Sequence, residues 1–417
     1  MESPALMLSL VFCALLVAGL ITRTVLASRQ IRHVARHRAT VPAAFAQTIT
    51  PEAHQKAADY TITKARFGLL DTALEAAMLL GWTLLGGLDW LNQTLLAALG
   101  GGMVQQLTLL AAFSLIGGLI GLPLAWWSTF RIEERFGFNK MTLSLWLGDL
   151  LKGALVGALV GLPIAALVLW LMGAAGASWW VWAWGVWMAF NLLALVLYPT
   201  LIAPLFNKFE PLQDETLKTR VNALMQRCGF AAKGLFVMDG SKRSAHANAY
   251  FTGFGAAKRV VFFDTLLQQL SPAEIDAVLA HELGHYKRRH IIKRIALMFG
   301  LSLLGFALLG WLSNQVWFSS GLGVRPNLSF DAGVASAPND ALALLLFMLV
   351  VPVFTFFISP LFSQQSRRHE FQADAYAVAQ ASGADLASAL LKLYEDNAST
   401  LTPDPVYVKF YYSHPPA

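Results

Sequence analysis

Two histidines and a glutamate are the residues of this chain best placed to do chemistry. They lie in Ala280-His281-Glu282-Leu283-Gly284-His285-Tyr286, an H-E-x-x-H pattern. On a helix, residues four apart stand one turn from each other, so both imidazoles can reach one metal ion. Glu282 sits beside the first of them, where a carboxylate can take a proton from a metal-activated water. With 9 His and 11 Glu in 417 residues, chance supplies about 0.005 such patterns, so the motif is read as a site. The bland alternative is two surface histidines on an amphipathic helix. The helix signals around the motif weigh against it. Ser271 can cap, Pro272 fits the first helical position and Glu274 closes a capping box. Ile275, Val278, Leu279 and Leu283 then form an apolar stripe, with His281 and His285 on the adjacent face.

A catalytic zinc needs three protein ligands and one open position, so a third ligand must come from elsewhere. The stretch Arg367-Arg368-His369-Glu370-Phe371-Gln372-Ala373-Asp374 offers two carboxylates four residues apart. They share a helix face. One can bind zinc while the other accepts a hydrogen bond from the far nitrogen of a ligating imidazole and so orients the ring. Glu370 is assigned the ligand role and Asp374 the orienting role. Spacing alone does not separate this from two solvated carboxylates, and His369 and His290 are rivals by residue type. One Zn2+ per chain is the expected cofactor.

The elements that must position these residues are largely apolar. The chain is 56% hydrophobic and 13% charged, against about 25% charged for soluble proteins. The deficit is concentrated in seven runs, at about 4–27, 67–90, 104–130, 146–172, 178–203, 291–317 and 340–362, each long enough to span a bilayer. The first starts with Glu2 and is followed by Arg29, Arg32, Arg36 and Arg38. It is therefore read as a retained span, not a signal peptide. The layout is 1–203, five spans with their loops; 204–290, a polar segment carrying the motif; 291–362, two further spans; and 363–417, a segment that completes the zinc site. Lys and Arg gather in loops one, three and five, while loops two and four hold none. This places the N-terminus outside and both the motif and the C-terminus in the cytoplasm. The net charge of +6 lies beside the apolar runs, so the expected partner is the lipid bilayer and not nucleic acid. Two cysteines, Cys13 and Cys228, make a disulfide framework or a Cys-based metal site an unsuitable reading.

Some charges fall inside the runs. Asp149 and Lys152 are read as helix-end groups near the headgroups, while Asp71 and Glu75 fit either that position or a polar cavity wall. In the polar segment, Gly234–Asp239 and Arg259–Asp264 read as strands. Alternation through Asn248, Tyr250 and Thr252 suits a third strand or a hairpin.

Several motifs together resemble the CAAX prenyl proteases of the Ste24 type, integral-membrane zinc metallopeptidases related to the HtpX proteases. They are Leu197-Tyr198-Pro199 through Ile202-Ala203-Pro204-Leu205-Phe206, Gly240-Ser241-Lys242-Arg243-Ser244, His246 to Tyr250, the His281–His285 motif, Glu370 to Asp374, and Ser413-His414-Pro415-Pro416. The resemblance implies a mainly α membrane protein whose seven transmembrane helices enclose a chamber, capped by a cytoplasmic α+β metallopeptidase domain. It supports Glu370 as the third zinc ligand with Asp374 as its orienting neighbour. It implies that Asn248, Ala249 and Tyr250 form an edge strand binding the substrate backbone, and that His414 stabilises the tetrahedral intermediate. A chamber wall would account for Asp71 and Glu75. The family continues past His-Pro-Pro with an Arg, a position beyond Ala417. The implied substrate is a CAAX-type prenylated C-terminus, or an unprenylated membrane protein under quality control. A bacterial inner membrane is the favoured setting, or the endoplasmic reticulum in a eukaryote.

Two rival readings fit less well. A site-2-type intramembrane protease would place H-E-x-x-H inside an apolar run, and here charged residues flank it. A non-catalytic transporter or chaperone with a structural metal would use four protein ligands and needs no glutamate beside the first histidine.

Overall fold

The computed structural model describes residues 3–230, 232, 234–252, 258–328 and 337–416. Helix α1 (Pro4–His37) starts at Ser3, whose hydroxyl accepts from the Leu6 N–H. Its 34 residues make a rod of about 51 Å, longer than the roughly 30 Å hydrocarbon layer. Its last turns therefore project from the membrane, and α2 (Pro51–Trp82) packs back along it. The polar region expected as a loop from Ser28 to Arg66 is mostly helix: Arg29, Arg32 and Arg36 ride on α1, and Lys56 and Lys64 on α2.

The second span is broken. α2 gives way to α3 (Gly87–Leu99) across a bend of 47°, at a turn where Gly86 has φ 81°, a conformation that glycine adopts at no steric cost. α4 (Met103–Trp127) runs into a π-helical turn at Ser128–Glu133. α5 (Leu143–Ala174) and α6 (Trp179–Leu197) come next, and α6 also ends in a π-helical turn, Tyr198–Ile202.

The chain then leaves the apolar zone. It forms β1 (Phe209–Pro211), α7 (Glu215–Arg227), β2 (Gly234–Met238), β3 (Ala249–Thr252), β4 (Arg259–Phe263), α8 (Asp264–Gln269) and α9 (Pro272–Lys287). The sheet order is β1-β2-β4-β3, with β2 and β4 parallel and both outer strands antiparallel to their neighbours. β2 and β4 are the strands expected from their Val and Phe content, and β3 is the third. β1 has three residues, one of them Pro211, and no periodicity to announce it. Leu224, Val260, Phe262, Leu279 and Leu283 are fully buried in the core beneath this sheet.

α10 (His290–Leu312), α11 (Val316–Ser320) and α12 (Asp340–Thr355) return through the apolar zone. A 3-10 turn at Phe356–Ile358 leads directly into α13 (Ser359–Gln380), so the seventh span continues into the segment expected as a polar tail. α14 (Gly383–Asp396) and α15 (Pro405–Tyr411) close the chain. Among the described residues six helical stretches are long and apolar enough to cross a membrane, and there are seven if the bent α2–α3 pair counts as one span. Leu151, Leu159, Leu304 and Met348 stand exposed on these helices, which acyl chains tolerate and water does not.

Polar side chains join the parts. Asp149 on α5 takes two bonds from Arg243, at 2.9 and 3.2 Å, and Arg243 also donates to Asn207 Oδ1. Lys152 donates to the Leu205 carbonyl at 3.2 Å. Both Asp149 and Lys152 lie near the N-terminal end of α5, as a helix-end reading expects, and in addition they pin α5 to the segment carrying the sheet. At the N-terminal end of α1, the Ser9 hydroxyl bonds the Gly321 carbonyl. Buried amides close that end: Gln105 donates to Asn92, Asn92 to Asn327, and Gln106 accepts from the Ala341 N–H. A cavity of about 1280 Å³ lies towards the other end, walled by α1, α2, α13, α14 and α15. Its wall on α2 runs from Tyr60 to Thr72; Asp71 and Glu75 are not among the lining residues.

The capping box of α9 is formed as expected. Glu274 Oε2 accepts from the Ser271 N–H at 2.7 Å and from Lys392 Nζ at 2.8 Å, and Oε1 accepts from the Ser388 hydroxyl at 2.6 Å. One carboxylate thus starts the helix and ties it to α14. Burial pushes this carboxyl up, but Lys392, Ser388 and Ser271 together bring it down to about 2. Its folded pKa lies below the unfolded value. Its contribution is therefore complete above about pH 4.5 and lost as pH falls towards 2. Glu274→Gln should lower thermal stability near neutral pH by on the order of 1–3 kcal/mol. The gap from wild type, tracked by thermal unfolding between pH 7 and 3, should narrow on acidification.

Candidate metal centre

α9 and α13 cross at Gly284. A Cβ on Gly284 would stand 2.9 Å from Ala373 Cα and 3.0 Å from its carbonyl oxygen. Glycine here removes the side chain that would keep two helix backbones apart. The close crossing brings His281 and His285 of α9 against Glu370 of α13. His281 Nε2 and His285 Nε2 are 3.2 Å apart, and they lie 3.3 and 3.5 Å from Glu370 Oε2. Three donors in tetrahedral array around zinc, each at about 2.0–2.2 Å, are separated by roughly 3.3–3.5 Å. The donor set and its spacing therefore fit one zinc ion. These three residues are the metal-binding group found among the described residues.

The far nitrogens of both imidazoles are occupied. His281 Nδ1 lies 2.8 Å from Asp374 Oδ1, the partner assigned from the sequence. His285 Nδ1 lies 3.1 Å from His290 Nδ1, and His290 Nε2 lies 2.9 Å from Gln372 Oε1. With His285 Nε2 turned to the donors, its Nδ1–H donates to His290, whose Nε2–H donates to Gln372. This fixes one tautomer on each ring. His290 and His369 were rival ligands by residue type. His290 instead supports His285 from behind, and His369 stacks on His290 with ring centroids 4.0 Å apart. No spacing rule announces that support. Arg289, between α9 and α10, has φ 56°, and this turn sends His290 back towards His285.

The electrostatics favour a cation. Burial pushes the His281 imidazole down, but Asp374 and Glu370 outweigh it and hold it at about 9. Burial pushes Glu282 above the usual carboxylate range, opposed by the fields of His281 and His285. His414 arrives from the other side, its Nε2 3.6 Å from Glu370 Oε2. His281, Glu370, Asp374, His414 and Asn248 all line the cavity.

Asn248 immediately precedes β3. Its carbonyl accepts from the Phe263 N–H at 3.0 Å, and its side chain accepts from the Ala249 N–H at 2.8 Å. β3, with Ala249 and Tyr250, is the last strand of the sheet, so its outer edge has no strand partner among the described residues. Upstream, the Asn397 amide oxygen accepts from the Ala247 N–H and lies 2.9 Å from His246 Nδ1, fixing the approach to this edge.

Gly284→Ala should wedge α9 from α13. The expected cost is about 1–3 kcal/mol, together with weaker zinc retention in a chelator competition monitored by metal analysis. Wild-type retention by this variant would remove the argument from close approach.

Comparison with known proteins agrees with this geometry. Residues 30–208 match the model of the CAAX prenyl protease N-terminal region with five membrane helices, and residues 211–417 match peptidase family M48. The chain is 34% identical to a CAAX prenyl protease 1 homolog of Arabidopsis thaliana, over 90% of this chain and 88% of that protein. It is 31% identical to a CAAX prenyl protease 1 homolog of Homo sapiens, over 94% and 90%. The crystal structure of S. mikatae Ste24p superposes with a TM-score of 0.89 at 32% identity, covering 98% of this chain and 96% of that one. Together with the H-E-x-x-H helix lying outside the apolar spans, this sets aside the intramembrane-protease and transporter readings. The chain belongs to peptidase family M48, as a multi-pass membrane zinc metalloprotease of the Ste24 type.

Proposed function

We propose that this enzyme cleaves prenylated, CAAX-type C-terminal segments presented at the cytoplasmic face of a membrane. The carrying observation is the cavity at the zinc donors. Its walls come from α1, α2, α13, α14 and α15 and include Phe45, Leu69, Leu390, Tyr407 and Tyr411, a surface suited to a peptide bearing an isoprenoid chain. The relatives named CAAX prenyl protease support the same substrate class.

The proposed division of labour rests on the geometry. His281, His285 and Glu370 hold zinc, with Asp374 and His290 fixing the imidazole rings. Zinc, when held there, supplies Lewis acidity that activates water and polarises the scissile carbonyl. Glu282 accepts the proton of the attacking water and delivers it to the leaving amine. The raised affinity of its carboxylate for a proton suits both transfers. His414 donates to the oxygen on which charge develops. The free edge at Asn248, Ala249 and Tyr250 aligns the substrate as an added strand.

The orientation rests on charge. The loops on the side of the sheet domain carry the Lys and Arg excess, whereas Arg325 on the opposite side is paired with Asp89 at 2.8 Å. This supports a cytoplasmic active site and C-terminus with the N-terminus outside. The polar unit from 204 to 290 and the segment from 363 to 417 then act as one catalytic body on the spans.

A farnesylated CAAX peptide, its unmodified counterpart and an unmodified membrane protein should be assayed side by side, with wild type and Glu282→Ala. Wild type should prefer the farnesylated peptide in kcat/KM. Glu282→Ala should keep one zinc yet lose about 10²–10⁴-fold in kcat. Preference for the unmodified membrane protein would overturn the substrate assignment, and full turnover by Glu282→Ala would overturn the general base.

A further inference from the structure

Arg367 stands on α13 one turn before Glu370, yet its guanidinium serves another element. Nη1 donates to the carbonyls of Val408, at 3.0 Å, and of Tyr412, and Nη2 donates to that of Lys409 at 3.2 Å. The Val408 carbonyl also accepts the Tyr412 N–H, at 3.1 Å, while Lys409 and Tyr412 present the carbonyls of the last turn of α15 and of the residue that follows it. Three bonds from one planar fork make a cap that an ammonium cannot reproduce.

The opposite end of α15 is held as firmly. Asp404 is buried, and its Oδ1 accepts from the N–H groups of Val406 and Tyr407, each at 3.0 Å. Arg29 of α1 grips the same carboxylate through two bonds, at 3.2 and 3.0 Å. The Asp404 N–H donates to Gln30 Oε1 at 2.7 Å. A helix of seven residues does not persist on its own propensity; α15 exists because both ends are clamped.

The clamp matters because α15 leads into the metal centre. Two residues beyond Tyr412 comes His414, with Nε2 3.6 Å from Glu370 Oε2. Its side chain is largely exposed, and its own restraints are a 3.0 Å contact with the Ser413 hydroxyl and the adjacent bond from Tyr394 to the Pro415 carbonyl. Its place over the zinc donors is therefore set by where α15 ends.

We infer that Arg367 is a positioning residue that fixes His414 against the metal centre by capping α15, with the Arg29–Asp404 pair as the opposing anchor. One helix, α13, then supplies both the carboxylate donor and the brace for the residue facing it. The inference rests on the reading of His414 as the group that meets the developing oxyanion.

The test is a double-mutant cycle in the full-length, zinc-loaded protein, using whichever peptide the wild type cleaves. Arg367→Gln and His414→Ala should each lower kcat about 10–100-fold, with KM changed less than about threefold and one zinc retained. Arg367→Lys should recover only part of the loss. Arg367→Gln combined with His414→Ala should be no slower than His414→Ala alone, because both remove one function. A merely structural cap would instead multiply the losses, or lower zinc content and kcat together. If Arg367→Gln does not accumulate, Arg29→Gln loosens α15 from its other end and should show the same non-additivity. Multiplicative losses beside a slow His414→Ala, or wild-type kcat in Arg367→Gln, would overturn the inference alone. Wild-type kcat in His414→Ala would overturn the reading of His414 and the inference with it.

Discussion

The structure depends on the close approach of α9 and α13 at Gly284 and Ala373. The first helix carries two imidazoles and the second a buried carboxylate. Neither can assemble a three-donor site alone, because a helix presents only residues one turn apart on a common face. Convergence requires backbones nearly in van der Waals contact. Much of the surrounding architecture fixes that crossing. Glu274 holds the start of α9 to α14, and His290 with Gln372 ties the end of α9 back to α13.

The membrane helices contribute to the same constraint. α13 is the direct extension of the seventh span, so its carboxylate is delivered by an element anchored in the bilayer. α10 leaves the site at His290 and re-enters the apolar zone, so both helices of the crossing are anchored on the membrane side. The Asp149–Arg243 pair fixes the sheet domain to α5. The cavity opens onto the donors between these anchored parts. The walls of that cavity are partly span helices.

Features set by short-range chemistry were legible in the sequence. The H-E-x-x-H spacing, the Ser271–Glu274 capping box, β2 and β4 each depend on neighbouring residues. So does the pairing of Glu370 with Asp374 on one helix face, once a third donor was required. The features that escaped depend on distant partners or on backbone conformations that side-chain type does not announce. The partner of Asp149 could not be assigned, because Arg243 is 94 residues away. His290 looked like a rival ligand because the left-handed turn at Arg289 is invisible in composition. The break between α2 and α3 falls within one continuous apolar run, so hydropathy read it as a single rod. Gly284 lies within the motif, but its role depends on Ala373, 89 positions away in sequence, packing against it.

The central claim is that zinc is held by two imidazoles of α9 and one carboxylate of α13. X-ray absorption on the zinc-loaded protein, comparing wild type with Glu370→Ala, tests it most directly. Two imidazole nitrogens with oxygen completing the shell are expected in wild type, and a loss of tightly held zinc in the variant. Three imidazoles in the wild-type shell, or an unchanged spectrum and zinc content in Glu370→Ala, would contradict it.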